Sequence, residues 1–159
     1  MSRAGPASAD RAWIAAHIPH AGTMCLLDAV LAWDAHTIHC RATSHHDPAN
    51  PLRAGGRLGA ACGVEYAAQA MAVHAALLDG DQAGAGVRGG RLVSVRALEL
   101  PVAALDAVTG VLDIRAARLA ADARTALYSF ELSAAGELCV LRGRASVVLD
   151  AGRLPEPLS

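Results

Sequence analysis

Residues 58–78 read LGAACGVEYAAQAMAVHAALL, a run too apolar to be solvated and too long for an ordinary strand. Ala, Val, Leu, Met, Cys and Gly make up nearly all of it, so it predicts one long buried helix. Glu65 and Gln69 interrupt it four residues apart and fall on one face at about 100° per residue. A carboxylate buried in such a helix is costly unless it is hydrogen-bonded, protonated or used in chemistry. Gly59 and Gly63, also four apart, are expected to let neighbouring backbone approach this helix closely.

The patterns on either side of the helix complete the picture. Residues 1–10 read as a disordered leader, residues 11–150 as a single domain and residues 151–159 as a tail. Asp10 is placed to cap a short helix from Arg11 to His17, which ends before Pro19. Two strands are expected at Leu26–Trp33 and Thr37–Thr43, joined by a turn at Asp34-Ala35. Ser44–Gly56, SHHDPANPLRAGG, holds two Pro and two Gly and reads as an irregular loop. Loops of this length tend to carry function. After Asp79-Gly80-Asp81 stops the helix, the period changes to two. Four strands are expected, at Leu92–Leu100, Val108–Ala117, Thr125–Leu132 and Leu138–Leu149, in meander order and therefore antiparallel. A sheet curled around one apolar helix, in an α+β domain, satisfies this pattern. Its open edge invites a second subunit.

Composition narrows the function classes. The 159 residues carry a net charge of −1, without the basic surplus that nucleic acid requires. All 14 basic residues are Arg, which excludes lysine Schiff-base and P-loop chemistry. Hydrophobic residues are 53% and aromatics only 3%, so the core must be aliphatic and Ala-rich. No uninterrupted apolar run is long enough to cross a bilayer, and the N-terminus lacks a signal-peptide core, so the expected location is the cytoplasm. Cys25, Cys40, Cys62 and Cys139 form no CxxC pair and no zinc spacing, so no metal is expected. Cys62 stands one turn before Glu65, where packing accounts for it better than nucleophilic chemistry does.

Strand–strand–long helix–four strands is the order of the hotdog fold, and the motifs strengthen the likeness. IPHAGTMCLLDAV (18–30) resembles the opening segment of the β-hydroxyacyl-acyl carrier protein dehydratases. VEYAAQA (64–70) resembles their E-A-x-A-Q helix motif, with Glu65, Ala68 and Gln69 matching. LELPVAALDAV (98–108) resembles their strand-to-strand passage, with Pro101, Val102 and Asp106 retained. The wording PHAGTMCLLD and DPANPLR is similar to the dehydratase-like proteins of aryl-polyene gene clusters.

This resemblance implies a dehydratase that converts 3-hydroxyacyl thioesters on an acyl carrier protein to trans-2-enoyl thioesters. The type is that of fatty acid or aryl-polyene synthesis. It implies no metal and no organic cofactor, because the substrate brings its own phosphopantetheine. Each site is expected at an interface, in a homodimer or in a heterodimer with another hotdog chain. Glu65 would be the general acid, raised in pKa by apolar surroundings. The family's usual catalytic histidine is missing, since Pro51 stands where it would be counted. His20, His45 and His46 are the substitutes. Gln69, Asn50, Gly63 and Cys62 are candidates for facing substrate. Gln69 would act as an orienting donor or as a cap for buried loop carbonyls. Arg53, Arg57, Arg88 and Arg91 are candidates for meeting an acidic carrier protein. His74 is expected on the far side of the helix, and His36 and His39 are expected to be structural. Two other readings use the same residues: a non-catalytic acyl-binding partner of an active dehydratase, and an acyl thioesterase.

Overall fold

The computed structural model describes residues 8–18, 22–80, 90–134 and 138–149. Strand β1 (Ala9–Asp10) precedes helix α1 (Arg11–His17), whose N-terminus is capped by Asp10 Oδ1 accepting the Trp13 amide at 2.9 Å. Strands β2 (Ala29–Trp33) and β3 (Thr37–Ala42) follow. Helix α2 (Gly63–Asp79) opens after a 3-10 turn at Ala60–Cys62 and stops at Gly80, whose φ of 58° a side-chain-bearing residue adopts only at a cost. Strands β4 (Gly90–Glu99), β5 (Leu112–Ala121), β6 (Thr125–Ala134) and β7 (Leu138–Leu149) complete the order. Neither α1 nor α2 is long and apolar enough to cross a membrane.

All seven strands form one antiparallel sheet in the order β1-β2-β3-β5-β6-β7-β4. This is the hotdog arrangement, with α2 lying on the sheet's inner face. Ile38 and Cys40 of β3, Leu112 and Ile114 of β5, Tyr128 and Leu132 of β6 and Ala145 of β7 are buried on that face. Tyr66, Ala67, Ala70, Met71, Val73 and Leu77 of α2 are buried with them. The helix approaches β6 and β7 at Gly63, where a Cβ would stand 2.3 Å from Leu141 Cδ2 and 3.1 Å from Leu132 Cδ2. Gly59 plays no such part, because a Cβ there would meet nothing within 4 Å.

Three expectations are corrected. The long helix is shorter at its start than its composition suggests, because Gly59–Cys62 is taken up by a loop bridge to Ala104 and a 3-10 turn. Ala9 and Asp10, expected in the leader, are paired to Val30 and Ala29. The last four strands are not a simple meander. β5, β6 and β7 follow one another, but β4 pairs with β7 at the far edge while β3 takes the place beside β5. Between the interior strand β3 and the edge strand β4 the chain runs through α2, so β4 pairs beyond β7 and not beside β3.

Candidate active site

Glu65 lies in the first turn of α2, where a carboxylate complements the positive end of the helix dipole. Among the described residues it is the one exposed position of α2, and it makes no hydrogen bond or ion pair. The expected buried acid is therefore corrected: within one chain, its apolar surroundings are open on one side. Ala61 just ahead of the helix is exposed as well, and Val64, Ala68 and Ala72 are only half-buried. Glu65 thus heads an apolar stripe that this chain leaves partly uncovered.

Gln69, one turn on, is almost fully buried and committed. Its Nε2 donates to the Met24 carbonyl at 2.6 Å, and its Oε1 accepts the Leu26 amide at 2.9 Å. It ties the segment before β2 to the helix, which is the capping role and not that of a substrate donor. Cys62 is half-buried, with its thiol directed to the Leu52 carbonyl at 3.8 Å.

The loop between β3 and α2 is ordered by its own polar side chains. Ser44 and its two successors form a 3-10 turn. Ser44 Oγ donates to the Leu26 carbonyl at 2.7 Å, so its contact with Tyr66 at 2.8 Å must use the phenol as donor. The Tyr66 oxygen then accepts from Asn50 Nδ2 at 3.1 Å. Asn50 also donates to the Ser44 carbonyl and accepts the Leu52 amide, each at 2.9 Å. Both N–H donors of Asn50 are thus committed to the loop and to Tyr66, so the side chain serves to hold the loop. Burial pushes the Tyr66 phenol pKa up, against the opposing bonds from Ser44 and Asn50. Nothing in the residue types of this loop announced the Tyr66–Ser44–Asn50 network, because it depends on loop and helix meeting in space.

The arginines of the loop divide. Arg53 is half-buried and donates to the carbonyls of Asp47, Gly56 and His45, each at 2.9 Å, so it braces the loop. Arg57 is exposed and pairs with Asp106 at 2.9 Å. Asp106 also accepts the Leu58 amide at 3.3 Å, which explains the acid retained in the 98–108 motif as a clamp at the end of the loop. Partial burial works against the ionised form, but the Leu58 amide and the Arg57 guanidinium hold the Asp106 carboxyl below its usual range.

The two loop imidazoles differ sharply. His45 is fully buried, and neither ring nitrogen has a hydrogen bond of normal geometry. Burial, followed by the adjacent His46, pushes its pKa down to about 4, with the carbonyls of Val108 and Gly110 acting in the other direction. A neutral ring that touches no solvent is poorly placed to meet a substrate. His46 is exposed, and its ring is stacked at a tilt on that of His45, with centroids 3.8 Å apart. Its Nε2 lies 2.7 Å from the Val108 carbonyl. A carbonyl only accepts, so Nε2 is the donor, and the bond fixes the orientation of the ring with Nδ1 on its other side. Asp47 does not orient either ring; its carboxylate caps the turn by accepting the Ala49 amide at 2.8 Å.

His20 and Arg88 lie outside the described residues, as does the side chain of Arg91. His74 is buried and accepts from the Tyr128 hydroxyl at 2.7 Å while donating to the Asp34 carbonyl at 2.8 Å. His39 pairs with Asp113 at 2.7 Å on the outer face of the sheet. A groove of about 720 Å³ crosses that outer face and includes none of the site residues expected from sequence.

The family model for ApeP-like proteins, described as ApeP dehydratase, matches residues 12–152. The chain belongs to the ApeP-like dehydratase family. It is similar to the structure described as the dehydratase heterocomplex ApeI:P from Xenorhabdus doucetiae, with 25% identity, a TM-score of 0.75, and coverage of 86% of this chain and 90% of that one. It also resembles AziG from S. sahachiroi, at 20% identity and a TM-score of 0.55 over 77% of this chain and 89% of that one. A mutant thioesterase from Pseudomonas aeruginosa shares the fold, at 13% identity and a TM-score of 0.55 over 77% and 80% of the two chains. A comparison with curated protein sequences gives no match. The chain is thus an ApeP-like family member with an acid at the head of α2 and two imidazoles in the loop that precedes it.

Proposed function

We propose that this chain takes part in dehydrating 3-hydroxyacyl thioesters, carried on the phosphopantetheine of an acyl carrier protein, in a site completed by a second hotdog chain. The observation that carries this reading is Glu65, exposed and unpartnered at the head of a half-covered apolar stripe on an otherwise buried helix. A second chain laid over Ala61, Val64, Ala68 and Ala72 would enclose the carboxyl beside its substrate. Two further facts support it: membership of the ApeP-like dehydratase family, and the description of the similar structure as a dehydratase heterocomplex.

In the reaction, a neutral imidazole takes the α-proton next to the thioester carbonyl. The C–H electron pair forms the new C=C bond as the β C–O bond breaks. The protonated carboxyl of Glu65 gives its proton to the departing hydroxyl, which leaves as water. The imidazolium then returns a proton to the carboxylate. Within this chain, His46 Nδ1 suits the base better than His45 does; an imidazole of the partner chain is the other source. Of the two loop arginines, Arg57, exposed beside Asp106, is better placed than Arg53 to meet an acidic carrier protein, because Arg53 is spent on the loop.

The test supplies 3-hydroxyacyl and acyl thioesters of an acyl carrier protein to the chain alone and to its mixture with a second hotdog dehydratase subunit. Products are followed by mass spectrometry. Loss of water that depends on both chains and collapses in Glu65→Gln supports the proposal. Release of free acid would point to a thioesterase instead. Tight association without any turnover would leave an acyl-binding partner.

A further inference from the structure

Of the two imidazoles that touch at the head of the loop, only His46 meets solvent. His45 is sealed, and neither of its ring nitrogens has a hydrogen bond of normal geometry. The ring therefore adds little hydrogen bonding to the fold, and a buried polar group so placed calls for another explanation. The part of it in use is its face. That face lies against the His46 ring, with centroids 3.8 Å apart and a tilt of 38° between the planes.

The backbone beneath both rings is fixed from several sides. The His46 amide donates to the Thr43 carbonyl at 3.0 Å, and the Asp47 amide donates to the Ser44 carbonyl at 3.1 Å. Ser44 is tied to Leu26 and Tyr66, and Arg53 donates to the His45 carbonyl at 2.9 Å. The acceptor of His46 is held as well. The Val108 amide donates to the Leu105 carbonyl at 3.0 Å, and the Leu105 amide donates to the Leu58 carbonyl at 2.8 Å. What remains is the swing of the His46 ring about its side-chain torsions, the outer of which is broad for an imidazole. The bond from Nε2 to the Val108 carbonyl anchors one point on the edge of the ring. It does not set the plane. A flat neighbour against the face does, and His45 is that neighbour.

A base that takes the α-proton becomes positive, so a ring stacked on it must stay neutral. Burial, and after it the neighbouring His46, hold the His45 pKa down at about 4. The charged groups around the pair are committed to other partners. Asp28, whose field reaches His45, accepts from Thr43 Oγ1 at 2.6 Å. Asp47 accepts the Ala49 amide at 2.8 Å, and Asp106 is clamped by Arg57 and Leu58.

We propose that His45 is a positioning residue for His46: its sealed, flat ring sets the plane of the His46 imidazole against the Val108 carbonyl and so holds the base in one orientation. The inference rests on the reading above that this chain takes part in dehydration, and it assigns the base to the chain's own His46.

The test exchanges His45 for Leu, which fills the space without a flat face, and for Phe, which keeps one. Each variant is combined with a second hotdog dehydratase subunit and given 3-hydroxyacyl thioesters of an acyl carrier protein. His45→Leu is expected to lower kcat by about 10-fold to 100-fold, as a small misplacement of a catalytic group does, with KM nearly unchanged. His45→Phe should recover most of that loss. Once His46→Ala has removed the base, His45→Leu should have no further effect, because a residue that acts through another is not additive with it.

Carbon-13 relaxation of the His46 ring in the full chain reads the positioning directly. The ring should be ordered in the unaltered chain and in His45→Phe, and mobile in His45→Leu. Thermal melting checks that each variant folds, and His45→Met, also without a flat face, serves where Leu does not. A mobile His46 ring in the unaltered chain would overturn the proposal without any variant. So would an ordered ring in His45→Leu, or a loss of rate from His45→Leu that persists in the His46→Ala background. Dehydration that needs Glu65 but survives His46→Ala would also overturn it, and would leave the functional reading standing with the base on the partner chain. A ring that loses its order in His45→Leu, in a chain that dehydrates nothing with any partner, would sink the functional reading and leave the positioning in place.

Discussion

Gln69 in the middle of α2 and Leu26 ahead of β2 are joined by a buried hydrogen bond of 2.9 Å across 43 positions of sequence. The same side chain holds the Met24 carbonyl at 2.6 Å. One amide thus satisfies two backbone groups of a segment that pairs with no strand, and it fixes that segment against the helix carrying Glu65. Gln69→Ala leaves the Leu26 amide and the Met24 carbonyl without their partner. A cost of about 2–4 kcal/mol in unfolding free energy is expected, read from urea denaturation. A loss below about 0.5 kcal/mol would show that the segment finds other partners.

Glu65 is expected to behave in the opposite way. It is exposed and unpartnered in the chain, so Glu65→Gln should leave the melting transition essentially unmoved. Where dehydration is observed, the same exchange should lower its rate by at least about 100-fold. A variant that melts early would mean that the carboxylate has a structural role after all.

The buried His45 predicts an acid-sensitive fold. Its folded pKa is about 4, below the ordinary histidine value of about 6.5. Above the higher value both folded and unfolded chains hold the ring neutral, and the full stability is present. As the pH falls from about 6.5 to about 4, the unfolded chain takes up a proton that the folded chain refuses. Stability should then drop by about 3 kcal/mol. His74, whose pKa burial also lowers, adds to the same trend. Denaturation curves collected across this range should be flatter for His45→Phe, and an unchanged slope would assign the acid sensitivity elsewhere.

The two glycines near the start of the helix should respond differently to the same exchange. Gly63→Ala places a methyl 2.3 Å from Leu141 Cδ2 and should cost about 1–3 kcal/mol as the helix is pushed off the sheet. Gly59→Ala meets open space at an extended backbone with φ −65° and should be neutral or slightly stabilising. Thermal melts of the pair check the contrast, and equal effects would contradict the close approach at Gly63.

Much of the local structure was legible without coordinates. Asp10 before RAWIAAH marked the capped first helix, and Asp79-Gly80 marked the end of the second. Alternation located β6 and β7 to within a few residues, because a strand with one face on a core repeats every two positions. Alternation is silent about partners, however. β4 has the same period whether it lies beside β5 or beyond β7, and only the path of the chain across α2 placed it on the open edge.

The candidate site was legible in its residue types and not in their use. Arg53 looked like a docking charge and proved to brace three carbonyls; Asn50 looked like a substrate ligand and proved to be spent on Tyr66, Ser44 and Leu52. These roles depend on groups far away in sequence, which no spacing rule reports. The family likeness pointed to Glu65 as a candidate acid, and composition wrongly supplied its burial. By itself the sequence determined the helix, the strands and the hotdog class, because local periodicity and motif wording are carried by neighbouring residues. Only the tertiary structure decided that Glu65 faces outward while Gln69 one turn later is sealed. The sheet covers one face of α2 from Gly63 onward, and the segment holding Met24 and Leu26 covers Gln69 while leaving Glu65 exposed.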